Sequence, residues 1–286
     1  DQVLEAIDYD IDNAVFSYIP NTAETAFFGL VEGLNQWLDK HKASQIKALG
    51  NTLEADELER IISRKIRTEK IAVKDAKLRT FITDDLHRDE MVSHVYDVTY
   101  GIVRNQVDTL VIMDDSIVRG TTLRQSILKM LDRLHPKKIV VVSSAPQIRY
   151  PDCYGIDMAK MGDFIAFQAV IELHRQHDSQ FLVDEVYEQC IAQDGWAKEE
   201  IRNVVTRVYE PFTEQEISDK IAELVTPEGM EAEVQVVFQK LENLHKAIPG
   251  HTGDWYFSGN YPTPGGNRVV NRAYINYYNK VNERAY

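Results

Sequence analysis

Cysteine is scarce in this sequence: Cys153 and Cys190 are the two in 286 residues. Two thiols cannot build a disulfide framework or a four-cysteine metal or iron–sulfur cluster, so both are expected as ordinary buried side chains. No apolar run approaches the roughly 20 residues that a membrane-crossing helix needs. The N-terminal residues lack the charged-then-apolar pattern of a secretory signal. A cytoplasmic protein with no membrane contact is the resulting expectation. Basic residues are also in deficit, 32 Lys and Arg against 45 Asp and Glu, for a net charge of −13. That balance excludes a general nucleic-acid binder, which requires a basic footprint. Internal repeats and low-complexity linkers are missing too. What is present is 44% hydrophobic residues, enough for a sizeable core. The length fits one large domain, or one domain with a smaller appendage.

Apolar and turn patterning predicts an alternating order of elements. Asn13 to Pro20 forms a first strand, Asn21-Thr22-Ala23 a turn with Thr22 as a helix N-cap, and Glu24 to Lys40 a helix. A second helix is expected over Leu53 to Arg67, a loop over Thr68 to Thr83, and a strand over His94 to Gly101. Strand Leu110–Met113, helix Leu123–Leu134 and strand Lys138–Ser144 then make a βαβ unit, which implies a parallel sheet. Beyond Met158 the pattern turns helical as far as Leu244, and Pro249 to Arg272 is expected as a Gly/Pro/aromatic loop. Domains are expected over 1–160, an α/β unit, and over 161–286, a helical extension packed on it. His174 and His177 are three apart on an expected helix and are taken as a solvated face rather than metal ligands.

The most informative run is Leu110-Val111-Ile112-Met113-Asp114-Asp115-Ser116-Ile117-Val118-Arg119-Gly120-Thr121-Thr122. Open α/β sheets bind ligands at the carboxyl ends of their strands. A Gly/Thr loop opening a helix there offers unpaired N–H groups and the positive end of a helix dipole to a phosphate. Asp114 and Asp115 would repel that phosphate, so they suit sugar hydroxyls or a hard cation such as Mg²⁺. Phosphate, diol and metal together describe a phosphorylated sugar. An apolar run with Asp-Asp alone equally suits the strand end of a receiver or phosphatase domain.

Asp114 to Thr122 closely resembles the signature of the type I phosphoribosyltransferases, in particular the glutamine phosphoribosylpyrophosphate amidotransferase branch. A second block supports that branch: Ala145-Pro146-Gln147-Ile148-Arg149-Tyr150-Pro151-Asp152-Cys153-Tyr154-Gly155-Ile156-Asp157-Met158. The resemblance implies a parallel sheet flanked by helices with a mostly helical C-terminal extension. It implies that Asp114 and Asp115 hold the ribose hydroxyls of 5-phosphoribosyl-1-diphosphate and help organise Mg²⁺. Ser116, Arg119, Gly120, Thr121 and Thr122 would cradle the 5′-phosphate. Ile19-Pro20-Asn21-Thr22 resembles the family's diphosphate turn, with Thr22 on the hydroxyl position near the metal. Asn21 stands where the family has an acid, and Ala23 where Gly or Ser is usual.

Arg79-Thr80-Phe81-Ile82 resembles the end of the family's flexible loop, although the Arg-Tyr pair before it is absent. Lys74, Lys77 and Arg79 keep positive charge there as a lid. They belong to a basic stretch, Arg60 to Arg79, with eight basic residues against two acids. The implied reaction is attack of ammonia on 5-phosphoribosyl-1-diphosphate, giving 5-phosphoribosylamine and diphosphate in purine nucleotide biosynthesis. Purine nucleotides would be further ligands and a homo-oligomer the expected assembly. The family's glutaminase domain starts with a catalytic cysteine, and this chain starts at Asp1, so a C-terminal portion of a longer protein is expected. No iron–sulfur cluster is expected, since its ligands are missing. The alternative reading is a non-catalytic regulatory module that binds phosphoribosyl diphosphate or a purine nucleotide.

Overall fold

The computed structural model describes residues 1–20, 22–74, 96–153, 158–251 and 253–285, the side chains at 51, 72–74, 96 and 97 excepted. By internal contact these form two compact units that interleave along the chain. The first comprises Asp1–Asp115, Thr122–Ser144 and Pro227–Val237; the second comprises Ser116–Thr121, Ala145–Thr226 and Phe238–Tyr286. The expected boundary at residue 160 falls inside the second unit.

In the first unit α1 (Gln2–Ala6) leads into β1 (Ala14–Tyr18), followed by α2 (Glu24–Leu49) and α3 (Ala55–Ser63). Next come β2 (Ala72–Lys74) and β3 (Tyr96–Val98), paired antiparallel, then β4 (Thr109–Asp114). A π-helical turn, Leu123–Ile127, runs into α4 (Leu128–Asp132), and β5 is Lys138–Ser143. β6 (Glu233–Phe238) completes a four-stranded sheet of order β1-β4-β5-β6, in which β1/β4 and β4/β5 are parallel.

Register explains the core. Phe16, Val111 and Val140 are partners across three strands, as are Tyr18, Met113 and Val142, so each trio shares one face. That face is buried with Phe27, Leu34 and Leu38 of α2 and with Val3, Leu4 and Ile7 from the N-terminus. The alternate residues Val15, Leu110, Ile112, Ile139 and Val141 are equally buried, as are Leu123, Ile127, Leu128 and Leu131 in the crossover. Strands with both faces covered read as continuous apolar runs, which is how β4 and β5 look in the sequence. Outside β1, the Phe16 N–H donates to the Arg67 carbonyl and the Glu69 N–H to the Phe16 carbonyl. Asp108, fully buried at the start of β4, accepts from Arg67 Nη1 at 2.8 Å and from the Arg104 backbone N–H at 2.8 Å. Burial alone would raise that carboxyl; the bonds from Arg67 and Arg104 outweigh it and hold it below its ordinary value.

The second unit is mainly helical: α5 (Ile165–Gln176), α6 (Gln180–Ala192), α7 (Glu214–Val225), α8 (Leu241–Ala247), α9 (Trp255–Ser258) and α10 (Pro264–Tyr278). Among the described residues no helix is long and apolar enough to cross a membrane.

Four expectations change. Residues 233–238 lie in the stretch expected to be helical, yet they form β6: Val234, Val236 and Val237 are β-branched and favour a strand. Helix α10 begins inside the expected loop, because Thr263 accepts the Gly266 N–H at 3.4 Å as N-cap and Pro264 takes a first helical position. The N-cap of α2 is Ala23 rather than Thr22, with no side-chain cap. His174 is fully buried, not solvated. Its Nε2 donates to the Val208 carbonyl at 2.8 Å, and Nδ1 lies 2.8 Å from Ser179 Oγ. Burial pushes this imidazole below its ordinary pKa, so it is held neutral.

Candidate functional site

β4 is buried along Leu110–Met113, and its last residue, Asp114, emerges half-buried with Asp115 exposed beyond it. Both peptides are pinned from β5's end: Ser144 N–H donates to the Asp114 carbonyl at 3.0 Å, and Ser144 Oγ to the Asp115 carbonyl at 3.0 Å. The Asp115 N–H donates to Asp114 Oδ1 at 2.9 Å. Burial first, and the adjoining Asp115 carboxyl second, push Asp114 up to about 7. Two acids forced together in this way are stabilised by anything that brings a positive charge or donated hydrogen bonds.

The loop after the acids belongs by its contacts to the second unit. The Val118 carbonyl accepts the Ile165 N–H at 2.8 Å, and Arg119 Nε lies 3.6 Å from Asp163 Oδ2. Gly120 has φ +70°, and a Cβ there would sit 2.8 Å from Val225 Cγ1 and 3.3 Å from Ile165 Cγ1. Glycine is therefore required twice over, by backbone sign and by space. Among the described residues, no hydrogen bond engages the hydroxyls of Ser116, Thr121 and Thr122; the two threonines are exposed. Thr122 leads into the π-helical turn, a form often found at functional sites.

Thr22 is exposed in the turn before α2. Lys74 ends β2, while Lys77 and Arg79 lie outside the described residues, as does Asn21. Asp114 through Thr122 thus form one continuous strand-end segment.

The second block has another character. Gln147, buried, donates from Nε2 to the Glu214 carbonyl and to Ser218 Oγ, both at 2.9 Å, and accepts at Oε1 from Arg149 Nη2 at 2.8 Å. Arg149 lies over the Tyr209 ring at 5.3 Å, and Tyr209 Oη donates to the Arg149 carbonyl. These residues tie the chain to α7. Sequence reasoning missed the partners Glu214 and Ser218; the capping box Thr213-x-x-Glu216 was the signal marking where their helix starts.

A divalent cation suits this chemistry. Mg²⁺ is usually held by one or two carboxylates together with substrate phosphates, not by an all-protein cage. Asp114 and Asp115 offer such a pair, and the raised Asp114 carboxyl is one that a cation would return to its ionised form. Among the described residues no group of three or more His, Cys, Asp or Glu forms a closed cluster.

No family model matches the sequence. Curated relatives do. Amidophosphoribosyltransferase of Pasteurella multocida is 50% identical over 58 residues, 20% of this chain and 11% of the relative. The Escherichia coli enzyme is 43% identical over 67 residues, 23% and 13% respectively. That of Staphylococcus aureus is 36% identical over 90 residues, 31% and 17%. The matches therefore span less than a fifth of these relatives' own length. Among solved structures, the B. subtilis glutamine phosphoribosylpyrophosphate amidotransferase complexed with ADP and GMP aligns with 88% of this chain and 38% of its own. Its identity is 22% and its TM-score 0.44. Over those 58 to 90 residues this chain is similar in sequence to the amidophosphoribosyltransferases.

Proposed function

We propose that this chain is the phosphoribosyltransferase part of an amidophosphoribosyltransferase-like enzyme, a glycosyltransferase acting on 5-phosphoribosyl-1-diphosphate in purine nucleotide biosynthesis. One observation carries the reading. At the carboxyl end of a central parallel strand, paired acids pass directly into a glycine-requiring loop with uncommitted hydroxyls, and then into a helix. Asp114 and Asp115 accept hydrogen bonds from the ribose hydroxyls. The N–H groups around Gly120, the hydroxyls of Ser116, Thr121 and Thr122, and Arg119 hold the 5′-phosphate. Asp114 and Asp115, with Thr22, would hold a Mg²⁺, which would supply positive charge to the diphosphate leaving group. The ammonia lone pair forms the C1–N bond as the C1–O bond breaks with its electrons going to diphosphate. The resulting ammonium then loses a proton, leaving 5-phosphoribosylamine. Lys74, Lys77 and Arg79 supply positive charge over the leaving group. A glutaminase domain, a homo-oligomeric assembly and purine nucleotide regulation belong to the same reading.

A second reading has its own support. Arg119 is ion-paired with Asp163, and Asn21 lacks the charge that the family's turn carries. Both favour a module that binds phosphoribosyl diphosphate or a purine nucleotide without turnover. Titration calorimetry with phosphoribosyl diphosphate, with and without Mg²⁺, on the wild type and on Asp114→Asn/Asp115→Asn tests the site. Diphosphate release in the presence of ammonia tests the reaction. Metal-dependent binding, lost in the double variant and accompanied by release, is the expected result. Binding without release would establish the regulator; no binding of phosphoribosyl diphosphate would sink the enzyme, and no binding of a purine nucleotide either would sink the regulator too.

A further inference from the structure

We propose that a cavity beside α10, within the second unit, is a separate binding site for a small organic anion: a carboxylate or phosphate with an apolar body and a hydrogen-bond donor. The cavity has a volume of about 260 Å³, roughly the share of eight or nine waters at ~30 Å³ each. Arg268, Asn271, Arg272 and Ile275 fall at helical spacing on one face of α10 and line it. Cys190 and Ile201 add apolar wall.

Three observations point to the ligand class. First, Arg268 and Arg272 stand one turn apart, where like charges repel, and among the described residues neither has an ion pair or hydrogen bond. Asp194 lines the same cavity and pairs with neither. Two adjacent guanidiniums without an anion are the arrangement that a carboxylate or phosphate completes. Second, Asn271 is buried and its Oδ1 has no donor, while its Nδ2 donates to the Arg202 carbonyl at 2.9 Å. A buried acceptor without a partner is costly, and a ligand N–H or O–H, or a water carried with it, would relieve the cost. Third, the wall is already built. Asn267 Nδ2 donates to the Ile201 carbonyl at 3.0 Å, and the Arg202 N–H donates to Gln193 Oε1 at 2.7 Å. These bonds fix the segment opposite α10, so the cavity does not have to form on binding. Cys190, its thiol raised to about 12 by burial, serves as apolar surface and not as a nucleophile.

The site is independent of the strand-end acids, so its test can fail while the phosphoribosyl reading stands. The full chain is titrated calorimetrically with phenyl phosphate and, separately, with benzoate. Four proteins are compared: wild type, Arg268→Gln/Arg272→Gln, Asp194→Asn, and Thr121→Ala/Thr122→Ala. The arginine variant should bind both probes at least tenfold more weakly, and benzoate, which offers the strand-end cradle no phosphate, should bind the threonine variant as it binds the wild type. Removing the Asp194 charge should tighten binding by roughly two- to fivefold, the scale of an exposed charge pair; such a gain cannot arise from misfolding. Tighter binding of one probe identifies the anionic head, phosphate or carboxylate. The proposal is overturned if neither probe binds, if the arginine variant binds like the wild type, or if benzoate affinity follows the threonine variant.

Discussion

Two motifs of similar look, Asp114–Thr122 and Ala145–Cys153, follow successive strands of one sheet and differ in what their polar atoms are bonded to. Gln147 uses both ends of its amide on protein partners, and Arg149 is bonded to Gln147 and packed against Tyr209. In the earlier motif the backbone is pinned just as firmly, through Ser144 and Ile165, but among the described residues the hydroxyls of Ser116, Thr121 and Thr122 are not hydrogen-bonded, and Asp114 spends one oxygen on the Asp115 N–H. Asp114 is even held in an unfavourable state by its neighbour and by burial. A residue with every donor and acceptor engaged inside the protein maintains the fold. One left with open hydrogen-bonding capacity on a pinned backbone is available for a ligand.

The comparison can be broken at either motif. The largest effect is expected from Asp114→Asn/Asp115→Asn, which should weaken phosphoribosyl diphosphate binding at least a hundredfold, about 3 kcal/mol, as charged hydrogen bonds are lost. The melting temperature should stay the same or rise, because two crowded acids are neutralised; a large drop would mean that the acids are structural. Next in size, Gln147→Ala removes the donor to the Glu214 carbonyl and to Ser218 Oγ, which keeps its own bond to that carbonyl, and takes away the acceptor of Arg149 Nε and Nη2. Urea denaturation should then report a loss of about 2–3 kcal/mol with ligand affinity unchanged in the folded protein. If affinity falls instead, the second motif is part of the site. Gly120→Ala should cost about 1–2 kcal/mol for the left-handed backbone, with the close approach to Val225 additional. Pairing it with Val225→Ala should recover the steric share, which a double-mutant cycle would measure.

The smallest effect concerns pH. His174 has a folded pKa below its unfolded one, so its contribution to stability is complete above the unfolded value and is lost as pH falls through that value toward the folded one. Stability measured at falling pH should decline from near pH 6.5 downward. His174→Asn should flatten that slope while lowering stability overall.

Much of the fold was legible because the strands of the first unit are covered on both faces. Leu110–Met113 and Ile139–Val142 stand out as continuous apolar runs, and Asp114-Asp115 marks where one of them ends. β6 was not legible. Val234, Val237, Phe238, Leu241 and Leu244 fit a helical spacing, and only the β-branched run Val236-Val237 and a place beside β5 decide for strand. The start of α10 was obscured by Gly265 and Gly266, although Thr263-Pro264 ahead of them is a start signal. Of the site, the acids and the glycine loop could be read from the sequence. The partners Ser144, Ile165 and Val225, which make that loop what it is, lie far away in the chain and carry no local signal.

The interleaving of the two units bears on how the protein is made. β6 joins the sheet beside β5, but 89 residues, 144–232, are synthesised between those two strands, and 145–226 of them belong to the second unit. During translation the sheet therefore waits, with one side of β5 unpaired, until residues 233–238 leave the ribosome. Cutting the gene after codon 160 would make that waiting state permanent. A fragment built on that boundary should be insoluble, whereas a deletion that keeps 227–238 joined to β5 by a short linker would give the sheet its fourth strand.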